Sequence, residues 1–535
     1  MGKKIYSGDE NKRKLLEGVN ELADTVKLTM GAAGLNVIIH DQFRLPHVTK
    51  DGVTVAKNIS FDDPVKDSGA KLVKQAAIKT VELAGDGTTL STVLAQALIV
   101  GGYDLINKGV NPVELKKGME KAAEVALEEV KKLAIPVTEN KQIVQIATIS
   151  ANNDSSIGEL IGSAFATMGN EGLLEVQESK SHETTIKVMN GIEFEKGYIS
   201  PLFANNQAKM EAELFEPYIL LYEGKISTIE PVMPLLNAIA SNNKPVLIIA
   251  EDVDGEALQT MALNTVKKNL QICVVRAPGF AAQRTDMMED LACVTGGVYV
   301  MEEKSMKLSG VSITELGRSE KVIVTKDRCR IVGGKGDREL IEIRVARIKK
   351  EAEDIQENDF LKEATIRRAA SLTNGIAVIS VGGNTEAEMK ERRDRVDDAK
   401  CATKAAIEEG YVAGGGATLL MVSRKLKDEI IYGLPEGINL LADSLAIPFK
   451  QILDNAHVDA NDIGASVLTK GYPYGYNVKT EAVEDMIASG VVDPAKVIRV
   501  ALQNAVSVAG VFFLAGATIH ETQTENNGQT NPFVR

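Results

Sequence analysis

The sequence predicts an α/β multidomain protein, mainly helical at both ends around an α/β middle. Its 535 residues are too many for one ordinary core and suit three domains of about 100 to 200 residues each. Residues 63–135, and again those after Thr385, carry apolar side chains at helical spacing. Between them, the apolar runs YILLY (218–222), PVLIIA (245–250) and QICVVRA (271–277) alternate with helical stretches, the pattern of an α/β domain.

Three helices are expected in the first part: Asp63-Pro64 opens one, Thr88 the next and Asn111-Pro112 the third. Short polar side chains accept from free helix N–H groups, and proline is tolerated at the first helical position. In the third helix, Leu115, Met119, Ala122, Ala126, Val130 and Leu133 form a stripe to be buried, and Pro136 ends it. Thr385 and Glu388 form a capping box before a long charged helix, with Gly414, Gly415 and Gly416 shortly after it. The most apolar segment, VIRVALQNAVSVAGVFFLAGATI (497–519), contains Arg499, Gln503 and Asn504. Its uninterrupted run falls short of the roughly 20 residues of a membrane span, so a buried helix is expected.

Composition narrows the function classes. The apolar fraction of 44% and charged fraction of 25% are those of a globular protein. With no tryptophan and 4% aromatics, cores of Val, Ile, Leu and Ala are expected. A net charge of −13 without a basic, aromatic-interleaved block argues against nucleic acid as a partner. Cys273, Cys293, Cys329 and Cys401 form no CxxC pair, so neither a zinc site nor a disulfide framework is indicated. The start, MGKKIYSGDENKRKLL, has no apolar signal core and is too acidic for a transit peptide. A cytoplasmic protein with reduced thiols and no membrane partner is the expectation.

The stretch LAGDGTTLSTVLAQAL (83–98) places Asp86 between two glycines and follows it with Thr88 and Thr89. A turn with a capped helix accounts for it. A phosphate and metal site accounts for it too: a helix N-terminus offers N–H groups to an anion, hydroxyls add donors, and a carboxylate can hold Mg2+. Other templates fail, since there is no GxxxxGK[ST], no GxGxxG after a strand, no GxSxG and no HExxH. GGKGD (333–337) lacks the upstream glycine and the Ser/Thr of a phosphate loop and reads as a surface turn.

Several stretches together resemble one family, the GroEL-type group I chaperonins. They are TMGAAGLNVII (29–39), TKDGVTVAKNI (49–59), AGDGTTL (84–90), DDAKCATKAAIEEGYVAGGGA (397–417) and GYNVKTEAVEDMIASGVVDPAKV (475–497). GYISPLF (197–203), AEDVDGEAL (250–258) and RAPGF (276–280) extend the match in the same order. The resemblance implies an equatorial ATPase domain from 1–133 and 409–520, and an intermediate domain from 134–190 and 376–408. It further implies an apical substrate-binding domain at 191–375, and residues 521–535 read as a polar, disordered tail. It also implies homo-oligomeric, seven-membered rings that enclose unfolded proteins beneath a co-chaperonin lid.

For the site, the resemblance implies ATP and Mg2+, with K+ as a further cation. Asp86 inherits the metal. Gly87, Thr88, Thr89 and Leu90 lie at the phosphates; Thr29, Met30, Gly31 and Ala32 form a loop closing over them, with Lys50 beside it. Gly415, Asn477 and Asp493 fall around base and ribose, with Val478 and Lys479 adjacent; Asp493 can also cap the helix after Pro494. Asp398 matches the residue that orients the attacking water, and Asp51 a second carboxylate near the γ-phosphate. Tyr198, Leu202, Phe203, Met233, Leu236, Leu258, Ala262 and Leu263 match the groove for unfolded chains and the lid. That groove suits the surplus apolar surface of two helices expected near 232–241 and 254–268. Gly191 and Gly375 match the hinges.

The sequence departs from the family at Ala32, usually proline, and Leu90, usually threonine, and at Leu202 and Ala262, usually tyrosine and valine. Three functions stay open: an ATP-driven folding chamber, an ATP-independent holdase or assembly scaffold, and a phosphotransferase. Asp51, Asp86 and Asp398 together favour the first, and the third lacks a small-molecule pocket signature.

Overall fold

The computed structural model describes residues 3–40, 47–151, 153–168, 173–179, 182–207, 209–279, 282–301, 306–354, 365, 368–369, 371–372, 376–428 and 435–521. The chain forms two compact units. One comprises Met1–Ser163, Glu178–Glu183 and Val381–Arg535; the other comprises Ala164–Gln177 and Thr184–Ser380.

The first unit is mainly helical. Asp63 accepts from the N–H groups of Val65 and Lys66 at the head of Pro64–Ala84, and Asn111 accepts from Val113 at the head of Pro112–Leu133. The middle helix, Thr88–Asn107, starts differently from expectation. Gly87 holds the cap position at φ +89°, and Thr88 is the first helical residue, making no side-chain cap. A left-handed backbone is accessible to glycine at no steric cost, so the turn, not the threonine, sets the helix start.

Leu115, Met119, Ala122, Ala126 and Val130 are buried as the stripe required, together with Leu94, Leu98, Leu441, Leu502 and Phe513. Helices Thr88–Asn107 and Ala495–Leu514 are both long and apolar enough to cross a membrane, and both contribute to this core. The second ends at Leu514, and Ala517–Glu521 instead forms a strand antiparallel to Lys3–Ser7. Residues 522–535 of the expected tail lie outside the described residues.

Helix Glu386–Glu409 is capped by Thr385, whose hydroxyl accepts from the Glu388 N–H at 3.1 Å. The Glu388 carboxylate accepts from Asn384, one residue earlier than a closed box requires. This helix packs on Asn140–Ser150 within the first unit.

The second unit is α/β. Ile272–Arg276, Val246–Ala250, Tyr218–Tyr222 and Tyr299–Val300 lie parallel in that order, with Gly317–Arg318 antiparallel beside Tyr218–Tyr222. Their near-continuous apolar runs follow from burial on both faces. A four-stranded antiparallel sheet orders Gly191–Phe194, Cys329–Val332, Lys321–Val324 and Ala212–Phe215. Gly191 therefore opens a strand rather than sitting in a loop. A β-carbon there would lie 2.7 Å from the Ile331 carbonyl oxygen and 2.5 Å from Ile376 Cδ1, so packing alone requires glycine. Gly375 lies outside the described residues.

Candidate functional site

In the first unit the chain leaves helix Pro64–Ala84 through Gly85 at φ +76°, Asp86 and Gly87. The Asp86 carboxylate accepts from the Gly87 N–H. Gly85 permits a close approach: a β-carbon would lie 2.4 Å from Cβ of Cys401. Cys401 stands on helix Glu386–Glu409 three residues after Asp398. Neighbouring positions three apart share a helix face, so this contact brings Asp398 to the GDG turn.

Asp51 approaches from helix Gly52–Asn58. Its carboxylate caps that helix, accepting from Val53 N–H at 3.0 Å, Thr54 N–H at 2.9 Å and the Thr54 hydroxyl at 2.5 Å. Gly52 lets this helix touch the GDG segment, since a β-carbon there would lie 2.5 Å from Thr89 Oγ1. Thr29 Oγ1 donates to the Val26 carbonyl and lies 3.3 Å from Thr89 Oγ1.

Asn477 ends a strand of the hairpin Tyr474–Asn477 and Ala482–Asp485. Its amide donates to Glu484 and its oxygen accepts from the Lys479 N–H. Asp493 pairs with Val412 in a two-stranded ladder. It is not the helix cap expected of it, because Pro494 occupies the cap position of Ala495–Leu514.

These elements surround a cavity of about 380 Å³, within the usual range for small-ligand sites. Thr29, Met30, Gly31, Ala32, Lys50, Asp51, Asp86, Gly87, Thr88, Thr89, Leu90, Asp398, Gly415, Asn477, Val478, Lys479 and Asp493 all line it. Sequence reasoning missed further lining residues, among them Gly52, Arg395 and Ile452. Arg395 pairs with Asp154 and Glu391. Its helical spacing from Asp398 was the available signal; Ile452 offered none.

The cavity is electrostatically frustrated. Burial, then the charges of Asp86 and Asp51, hold the Asp398 carboxyl well above the usual carboxylate range. Burial and Asp51 raise Asp86 against the opposing Gly87 hydrogen bond, and burial with Asp86 pushes Asp493 up to about 7. Recessed like charges of this kind favour a bound cation. Among the described residues no three Asp, Glu, His or Cys side chains converge closely enough to hold a metal, so an ion at Asp86 needs further oxygens from a ligand or water.

The eight groove residues, in the second unit, do not form one exposed surface. Tyr198, Phe203, Leu236 and Ala262 are buried in its core, Leu258 is half-buried, and Leu202, Met233 and Leu263 are exposed. The burial of Leu236 has a simple cause. Helix Met233–Ser241 buries Leu235, Leu236 and Ile239 together in the core of the unit and leaves Met233 exposed at its start. On Gly255–Val266, Leu263 is joined by the exposed Val266, which sequence reasoning omitted. This helix packs against the turn Pro201–Phe203 that carries Leu202.

The model of the TCP-1/cpn60 chaperonin family matches residues 22–523. The fold is similar to the crystal structure of the chaperonin gp146 from the bacteriophage EL 2 (Pseudomonas aeruginosa), determined in the presence of ATP-BeFx. The TM-score is 0.68 at 22% sequence identity, covering 97% of this chain and 99% of that one.

Proposed function

Because this chain belongs to the TCP-1/cpn60 chaperonin family, we propose that it is an ATP-driven chaperonin that captures unfolded proteins and promotes their folding inside a ring. The observation that carries the reading is one cavity lined by Asp51, Asp86 and Asp398 together with the TMGA loop, GDGTT, Asn477 and Asp493.

Asp86 would hold Mg2+, which the crowded carboxylates favour, and the ion would supply charge neutralisation between phosphate oxygens. Thr88 and Thr89 offer hydroxyls and free N–H groups at a helix N-terminus to phosphate. Asn477 and Asp493 line the same cavity and would take base and ribose. Asp398 would orient the attacking water and take its proton. Unfolded chains would meet the exposed Leu202, Met233, Leu263 and Val266, with a co-chaperonin lid as competitor for the same surface.

Assembly into rings, which we take to be seven-membered, would use a second set of exposed apolar residues in the first unit. Ile5 and Ile519 stand out from the paired terminal strands, and Ile38 and Val48 from the hairpin Val37–Ile39 with His47–Thr49. Among the described residues each of these sheets has two strands only, and such edges suit pairing with another copy. Ile38→Asp is expected to shift sedimentation velocity from ring to subunit-sized species without lowering the melting temperature; an unchanged ring would count against this surface.

ATP turnover and refolding of a denatured enzyme, measured on one preparation, test the whole reading. Capture without turnover would replace it by an ATP-independent holdase.

A further inference from the structure

We propose that Asn455 is a positioning residue for the nucleotide, clamping the Thr29–Ala32 loop from behind. The inference rests on the cavity being the ATP site. Asn455 is the last residue of helix Ile447–Asn455 and does not line the cavity, whereas Met30, Gly31, Ala32 and Ile452 do.

Its Nδ2 donates to the carbonyl oxygens of Lys27 and Met30, both at 2.9 Å. These carbonyls lie where helix Gly8–Val26 runs out through the short turn Lys27–Thr29. The Lys27 carbonyl also accepts from the Met30 N–H at 3.1 Å, so Asn455 adds a second donor to that turn and ties it to the Met30 carbonyl beyond it. Both amide protons of Asn455 are thus engaged, and its Oδ1 accepts from Gln451 Nε2 at 2.8 Å. That third bond selects the orientation, because a flipped amide would set its oxygen against two carbonyls and its NH2 against a donor.

One turn earlier on the same helix, Ile452 closes on Gly31: a β-carbon at Gly31 would lie 3.1 Å from Ile452 Cγ2. Gly31 adopts φ +79°, so the loop crosses the cavity in a conformation that most residues resist. Held by Asn455 and Ile452, it presents Thr29, Met30, Gly31 and Ala32 to the cavity already ordered. A ligand then avoids the entropic cost of ordering it.

Asn455→Asp keeps the shape and turns the two donors into an anion facing two carbonyls; Asn455→Ala removes the clamp. Each is expected to weaken binding of a fluorescent ATP analogue and raise the KM for ATP about ten-fold or more, the scale of two lost hydrogen bonds. The kcat at saturation should stay within about two-fold, the signature of lost ground-state binding, and the melting temperature should fall by only about a few degrees, the scale of two lost hydrogen bonds in a chain of this size. If the Asp variant fails to fold, the Ala variant decides. Unchanged binding, or losses in kcat and melting temperature that track each other, would overturn the positioning role. A wild-type protein that does not bind the analogue would overturn the ATP reading itself and this inference with it.

Discussion

Asp398→Ala is expected to abolish ATP hydrolysis while leaving ATP bound. A positioned general base contributes about 10²- to 10⁴-fold to rate, and phosphoryl transfer offers the protein little to do beyond positioning and charge stabilisation. Binding should survive because Asp86, Thr88, Thr89 and the Thr29–Ala32 loop are untouched. Asp86→Ala should behave oppositely, weakening Mg-ATP binding as well as turnover. Single-turnover hydrolysis alongside titration with a fluorescent ATP analogue separates the two. Near-normal turnover in the Asp398 variant would reject this division of labour.

The second large effect distinguishes core from capture surface. Leu236 is 6% exposed and sits among Leu235, Ile239 and the central strands. Truncating such a leucine typically costs about 2 to 5 kcal/mol through lost burial and a residual cavity, and Leu236→Ser also buries a hydroxyl. Leu263 is 55% exposed, and substitutions at exposed positions usually stay within about 0.5 kcal/mol. Urea unfolding should therefore show Leu236→Ser strongly destabilised and Leu263→Ser nearly unchanged. Binding of a denatured enzyme should show the reverse, with Leu263→Ser assembling and hydrolysing ATP normally yet capturing poorly. Met233, exposed at its helix start, should tolerate replacement in the same way; as methionine its flexible side chain adapts to different apolar partners. Full capture by a Leu263→Ser, Val266→Ser double variant would remove this surface from the proposal.

Much of this architecture is legible locally. Asp63-Pro64 and Asn111-Pro112 mark their helices because a capping acceptor and the N–H groups that donate to it lie within three residues. YILLY, VLIIA and ICVVR declare buried strands because both faces of a parallel sheet need apolar side chains. Polar composition alone makes Thr88 a cap, whereas the left-handed backbone of Gly87 gives that position to the glycine.

By itself the sequence determined the helical ends, the strands of the α/β middle and the chemistry available at GDGTT, since propensity, periodicity and hydrogen-bonding capacity are properties of short segments. Tertiary structure alone decided which segments share the cavity. Asp398 reaches Asp86 because Gly85 leaves room for Cys401, and Asn455 reaches Met30 across most of the chain. It also decided that Leu236 is core and Leu263 surface, because an apolar side chain is neither until the sheet and its neighbours have claimed one face of its helix.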